Sequence, residues 1–121
     1  MQTILIADDD FISLEILKAM LSQFSLHIVS VSSGTEALQA AQKEQPQLII
    51  LDYEMDDLTG AEVCAQLRQI AEFQHTPIVA LTSHQSAEHM EKCRLAGVNQ
   101  TLHKPVSPDG LQQLLTHYQL L

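Results

Sequence analysis

The acidic residues of this chain are bunched. Asp8, Asp9 and Asp10 are consecutive, and Asp52, Glu54, Asp56 and Asp57 fall within one short stretch. Carboxylates brought together repel unless a cation sits among them. Magnesium takes an octahedron of oxygens, typically a few carboxylates with waters and a substrate phosphate. A carboxylate can also attack phosphorus and become an aspartyl phosphate. That reaction needs in-line approach, a metal on the phosphoryl oxygens and further donors on the others. Thr82 could supply a hydroxyl, with Ser83 beside it, and Lys104 an ammonium. Asp52 would be the nucleophile if the fold brings these residues together.

The apolar pattern predicts that it does. Three runs are continuously apolar: Thr3–Ala7 (TILIA), Leu48–Leu51 (LIIL) and Ile78–Leu81 (IVAL). Strands apolar on both faces belong inside a parallel sheet covered by helices on both sides. His27–Val31 (HIVSV) alternates and Gln100–Lys104 (QTLHK) is polar, so both read as edge strands. Helical periodicity lies between them. Leu14, Leu17 and Leu21 mark one face of a first helix, widened by Ile16 and Met20, with Asp10 at or near its cap. Ser33 with Glu36 reads as a capping box opening a second helix. A third runs from about Ala61 to Ile70 with Val63 and Leu67 inward, and a fourth ends before Gly97. The last starts at Ser107 with Pro108 in its first turn and carries Leu111, Leu114, Leu115 and Tyr118.

Two edge strands and three central ones, joined by short right-handed crossovers, predict an α/β fold. It is a flavodoxin-like (βα)5 doubly wound parallel sheet of strand order 2-1-3-4-5, one domain over residues 1–121. Ligands of such sheets bind past the carboxyl ends of the strands, where the winding direction reverses. Asp8 and Asp9 follow the first strand, Asp52 the third, Thr82 and Ser83 the fourth, and Lys104 the fifth. All share one rim.

Composition narrows the partners. The net charge is −9, from 15 acidic and 6 basic residues, which excludes direct nucleic-acid binding and disfavours anionic membranes. No apolar run approaches the ~20 residues of a membrane span and no signal-like leader is present, so the expected location is cytoplasmic. Cys64 and Cys93 form no CxxC pair and are expected as reduced, small helix side chains. Six histidines show no HExxH or His–Cys spacing, so a zinc site is not expected; His84 and His103 flank the rim.

The motifs in order resemble the receiver domains of two-component response regulators from end to end. The matching pieces are ILIADDD (Ile4–Asp10), SGTEAL (Ser33–Leu38), IILDYEMDDLTG (Ile49–Gly60), PIVALTS (Pro77–Ser83), AGV (Ala96–Val98) and LHKP (Leu102–Pro105). The resemblance implies that Asp8, Asp9 and Asp52 hold Mg2+, with manganese able to substitute, and that Glu54 adds its backbone carbonyl. It implies that Asp52 takes a phosphoryl group from a histidine kinase or histidine phosphotransfer protein, and that Thr82 and Lys104 bind the phosphoryl oxygens. It implies a cis bond before Pro105 and output to a downstream protein through the face of the fourth helix, fifth strand and fifth helix. A phosphorylation-dependent dimer is left open. Glu54 and His84 occupy the two positions that tune hydrolysis in the family. The chain departs from the family's DxxMPxxDG pattern, with Asp56 for the proline and Thr59 for the aspartate. Thr101 replaces an aromatic residue that turns inward in the family, so any switch here is expected to be a small loop shift.

Two other readings compete. Asp8 and Asp10 form the DxD of a haloacid-dehalogenase-type phosphohydrolase with Asp8 as nucleophile, but the chain has no room for a cap and Asp52 would have no role. A receiver-shaped module without phosphorylation would not need all five rim residues. The PIVALTSH and CRLAGV segments look like receivers of hybrid histidine kinases, whereas the start at Met1 suggests a stand-alone or N-terminal receiver.

Overall fold

The computed structural model describes residues 1–121. Its strands are β1 (Gln2–Ala7), β2 (Leu26–Val31), β3 (Leu48–Asp52), β4 (Ile78–Thr82) and β5 (Gln100–His103). Its helices are α1 (Phe11–Leu21), α2 (Gly34–Glu44), α3 (Gly60–Arg68), α4 (Ala87–Ala96) and α5 (Pro108–His117), with a 3-10 turn at Ala71–Phe73. All strand pairs are parallel and the order is β2-β1-β3-β4-β5, as the edge and centre patterns predict. β3 and β4 are buried along their whole length, while β2 and β5 are half-exposed.

Side chains on a strand alternate between faces, and here the alternation divides two cores. Ile4, Ile6, Leu48, Ile50, Val79 and Leu81 pack with Leu17 and Leu21 of α1 and Leu111, Leu114 and Leu115 of α5. Leu5, Ala7, Ile49, Leu51 and Ile78 pack with Ala37 and Ala41 of α2 and Val63, Cys64 and Leu67 of α3. Continuing each period to the strand ends puts Asp8 in phase with Ile6 and Asp52 with Ile50, on the α1–α5 side. Lys104 is in phase with Leu102, which packs against that same core. Thr82 and Tyr53 fall on the opposite phase; Tyr53 joins Ala61, Ala80 and Cys93 in a small cluster between α3 and α4. The strand period alone therefore gathers two carboxylates and one lysine on one side of the rim.

Several local expectations are corrected. Ile16 does not widen the buried face of α1: it is 55% exposed, and so are Phe11 and Ile12 at 63% and 69%, while Met20 packs against the core. The Ser33 hydroxyl does accept from Glu36 N at 3.1 Å, but the Glu36 carboxylate turns one residue further back, to the Ser32 amide and hydroxyl, both at 2.9 Å. The complete capping box is at α3, where Thr59 Oγ1 accepts from Glu62 N at 3.1 Å and Glu62 accepts from Thr59 N at 2.9 Å. Helix α3 ends at Arg68 rather than Ile70. Arg68 bends back to donate to the carbonyls of Phe73, Thr76 and Gly97 and to Asn99 Oδ1, closing the turn into β4. Asp10 is the cap position of α1, yet its carboxylate accepts from Ser13 Oγ at 2.6 Å. β5 ends at His103, one residue before Lys104.

Asp57, from sequence only one of the bunched acidic residues, has a structural role of its own. Its carboxylate accepts from Gly34 N and Thr35 N, each at 2.9 Å, and from Thr35 Oγ1 at 2.8 Å. It thus anchors the β3–α3 loop on the positive end of α2. A Cβ on Gly34 would stand 2.8 Å from Leu58 Cβ, so the absence of a side chain there permits the close approach. The backbone amides of Thr35 and Gly34 hold the Asp57 carboxyl well below the usual carboxylate range. A depressed carboxylate stabilises the fold above its unfolded pKa of about 3.9 and loses that contribution as pH falls further. Asp57→Asn is therefore expected to lower the thermal midpoint at pH 6, with the gap to wild type narrowing steadily as pH falls from 4 to 2. A gap that stays constant across that range would contradict a charged cap.

Candidate functional site

The rim brings together four of the residues singled out from sequence. Asp8 and Asp52 are 3% and 5% exposed, at the ends of the two central strands that flank the reversal of winding. Lys104 Nζ donates to Asp8 Oδ2 at 2.8 Å and lies 3.2 Å from Asp52 Oδ1. The bond between Lys104 and Pro105 is cis, as the KP dipeptide suggests. One carboxylate oxygen each from Asp8, Asp9 and Asp52 lies within 4.8 Å of the others. That donor set is hard, anionic and oxygen-only, which suits magnesium.

Backbone amides hold two of these carboxylates, and close packing holds the main chain of the third. Asp8 Oδ1 accepts from Asp10 N at 2.9 Å, which fixes its rotamer at the start of α1. Asp9 Oδ2 accepts from Asp56 N at 3.1 Å and so reaches across to the β3–α3 loop. Behind Asp52, Gly60 N donates to Tyr53 O at 2.9 Å, and a Cβ on Gly60 would sit 2.9 Å from the Asp52 carbonyl oxygen. Only glycine lets the first turn of α3 press this closely on the strand end.

Electrostatics single out Asp52. Burial, followed by the charge of Asp8, pushes its carboxyl up to about 7, against the pull of Lys104. For Lys104, burial works against the charge, but the hydrogen bond to Asp8 and the charge of Asp52 outweigh it and raise the ammonium above its ordinary value. One ammonium thus serves two buried carboxylates, with Asp9 close by.

The fifth rim residue is turned differently. Thr82 is fully buried, and its hydroxyl donates to the His84 carbonyl at 2.9 Å, with Glu54 Oε1 a second acceptor at 3.3 Å. It also accepts from His84 N at 3.0 Å. Ser83 Oγ donates to the same Glu54 oxygen at 3.3 Å. The rings of His84 and His103 belong to exposed residues. Thr101 is half-buried in β5, and its carbonyl accepts from Gln85 Nε2 at 3.3 Å. Cys64 and Cys93 are buried free thiols. Sequence reasoning missed Asp57 and the stacking of Tyr53 on His89; the Thr59-x-x-Glu62 spacing was a visible signal for the cap of α3.

Residues 4–116 match the response regulator receiver domain family. The chain is 32% identical over 116 residues to the signal transduction histidine-protein kinase BarA of Escherichia coli, covering 96% of this chain but 13% of that protein. Chemotaxis protein CheY4 of Vibrio cholerae superposes with a TM-score of 0.91 at 29% identity, covering 98% of each chain. The receiver domain of sensor histidine kinase PA1611 from Pseudomonas aeruginosa, with a magnesium ion in its active-site cleft, gives a TM-score of 0.90 at 27% identity, covering 97% and 96% of the two chains. The chain belongs to the response regulator receiver domain family. Receivers are signalling domains, and the dehalogenase-type reading is not favoured.

The shared charge makes a thermodynamic statement. The Asp52 carboxyl keeps its proton up to about 7 when folded, against an ordinary value of 3.8. Without metal, this group favours the native state in acid and loses that advantage as pH rises from about 4 through about 7. At pH 8 with chelator, Asp52→Asn is expected to melt above wild type by on the order of 1 kcal/mol, about 4 °C. Lys104→Ala is expected to melt below it. A cation that binds only the folded rim adds about 2.7 kcal/mol at a hundredfold excess over its Kd. Melts with and without magnesium check this, and equal magnesium shifts in wild type and Asp52→Asn would contradict a shared site.

Proposed function

We propose that Asp52 is the phosphoacceptor of this receiver. One observation carries the reading: a buried carboxylate at the end of a central strand, bonded to a lysine and within reach of two more carboxylates. In the reaction, an Asp52 oxygen attacks the phosphorus of a phosphohistidine in line, the P–N bond breaks and the imidazole leaves with the electron pair. Asp8, Asp9 and Asp52, with the backbone carbonyl of Glu54, would hold magnesium, or manganese in its place. The metal supplies positive charge against the phosphoryl oxygens. Lys104 and Thr82 bind the phosphoryl oxygens, Thr82 by turning its hydroxyl onto one of them. Glu54 and His84, already bonded to Thr82, set how long the acyl phosphate lasts. The domain accelerates its own phosphorylation and slow hydrolysis and is otherwise not an enzyme.

The donor is a histidine kinase or a histidine phosphotransfer protein, working in the cytoplasm, where buried thiols such as Cys64 and Cys93 stay reduced. A donor imidazole reaching Asp52 must lie over the rim and therefore over the tip of α1, which follows Asp8–Asp10 directly. Phe11, Ile12 and Ile16 are exposed there and offer it an apolar seat beside the acidic rim. Output runs through the face of α4, β5 and α5. Thr82 ends β4 and Lys104 follows β5, the two strands nearest that face, and Thr101 lies on β5. Phosphorylation-dependent pairing of two copies through it is a further outcome of the same switch.

Incubation with acetyl phosphate and magnesium is expected to add one acid-labile phosphoryl group by intact mass, absent in Asp52→Asn. Ile16→Glu is expected to keep that labelling while slowing transfer from a cognate phosphohistidine protein about tenfold, the scale of one lost apolar contact. No added mass in wild type would sink the phosphoacceptor reading. Equal slowing with both donors would sink the α1 seat.

A further inference from the structure

His89 lies in the first turn of α4, where its amide donates to the capping Ser86 Oγ at 3.1 Å. Its ring stacks on Tyr53 with centroids 4.3 Å apart and planes at 29°. Tyr53 is a firm platform: it is 4% exposed, follows Asp52 directly, and its amide donates to Leu81 O at 2.7 Å. The stack aims His89 Nδ1 at the His84 carbonyl, 3.0 Å away. A carbonyl oxygen only accepts, so Nδ1 carries the ring proton.

That carbonyl is the same one that takes the Thr82 hydroxyl. Two donors, from β4 and from α4, therefore share one oxygen. A threonine hydroxyl has a single proton, so Thr82 can serve a phosphoryl oxygen only by leaving His84. Without a second donor, the departure would leave the carbonyl of this exposed residue to water, and the loss of one net hydrogen bond would oppose the turn.

We propose that His89 is a positioning residue for phosphoryl capture: its Nδ1–H retains the His84 carbonyl and so releases the Thr82 hydroxyl to the phosphoryl group on Asp52. The inference rests on Asp52 being the acceptor. The same contact ties the state of Thr82 to the start of α4, because the ring that holds the carbonyl belongs to that helix.

Two substitutions separate the donor from the stack. His89→Phe keeps an aromatic ring on Tyr53 and removes the donor; His89→Asn keeps a donor near the Nδ1 position and removes the ring. The readout is the affinity of magnesium-loaded protein for beryllofluoride, a phosphoryl mimic, alongside the affinity for magnesium alone. His89→Phe is expected to bind beryllofluoride about fivefold more weakly, the scale of one net hydrogen bond, with magnesium binding unchanged. His89→Asn is expected to stay within about twofold of wild type, because it restores that bond. His89→Phe binding as wild type does, or His89→Asn binding as weakly as His89→Phe, would overturn the proposal. Imidazole 15N shifts of the wild-type protein give a readout independent of any variant. A proton on Nδ1 of His89 supports the contact, and a neutral ring protonated at Nε2 overturns it. If magnesium-loaded wild type binds no beryllofluoride, the acceptor reading of Asp52 falls and the role of His89 with it; failure confined to the variants touches His89 alone.

Discussion

One ammonium held between two buried carboxylates organises this molecule. Asp8 and Asp52 end adjacent strands, and their charges would oppose folding without a partner. Lys104 follows the edge strand β5 and must cross β4 to reach Asp52, a span of two strand spacings or about 10 Å, and β3 as well to reach Asp8. A long flexible side chain on the right strand phase meets that demand. Because a single positive charge serves two carboxylates beside a third, the rim stays net negative. That is the electrostatic condition for taking a divalent cation, and burial together with the charge of Asp8 raises the carboxyl of Asp52.

The loop that completes the rim is secured by hydrogen bonds rather than by a stiff residue. Asp56 stands where the resembling pattern has proline, which on sequence grounds frees the backbone there. The structure ties the same loop at three points instead: Asp9 to the Asp56 amide, Asp57 to the start of α2, and the Thr59–Glu62 box at α3. Gly60 then lets α3 close on the Asp52 backbone.

What the sequence revealed and what it hid follow from how local each signal is. Continuous apolar runs marked β1, β3 and β4, and polar alternation marked the edges, because burial on one face or two writes itself directly into composition. Asp8, Asp9, Asp52 and Lys104 were legible because each follows a strand end. Asp57 was not, because its partners lie 22 and 23 residues away on another helix. Ile16 was misjudged because it sits beside Leu17 at the border of the buried stripe, where helical spacing does not tell inside from outside. The Tyr53–His89 stack depends on how α4 is rotated against β3, which no spacing in the chain records.

The charge balance at Asp52 is the claim on which the rest of this account turns, and side-chain carboxyl 13C shifts of the protein across pH measure it most directly. In metal-free protein Asp52 is expected to titrate at about 7, well above the exposed carboxylates, and magnesium is expected to draw that titration sharply down. An Asp52 carboxyl that titrates in the ordinary carboxylate range without metal, or that ignores magnesium, would contradict it.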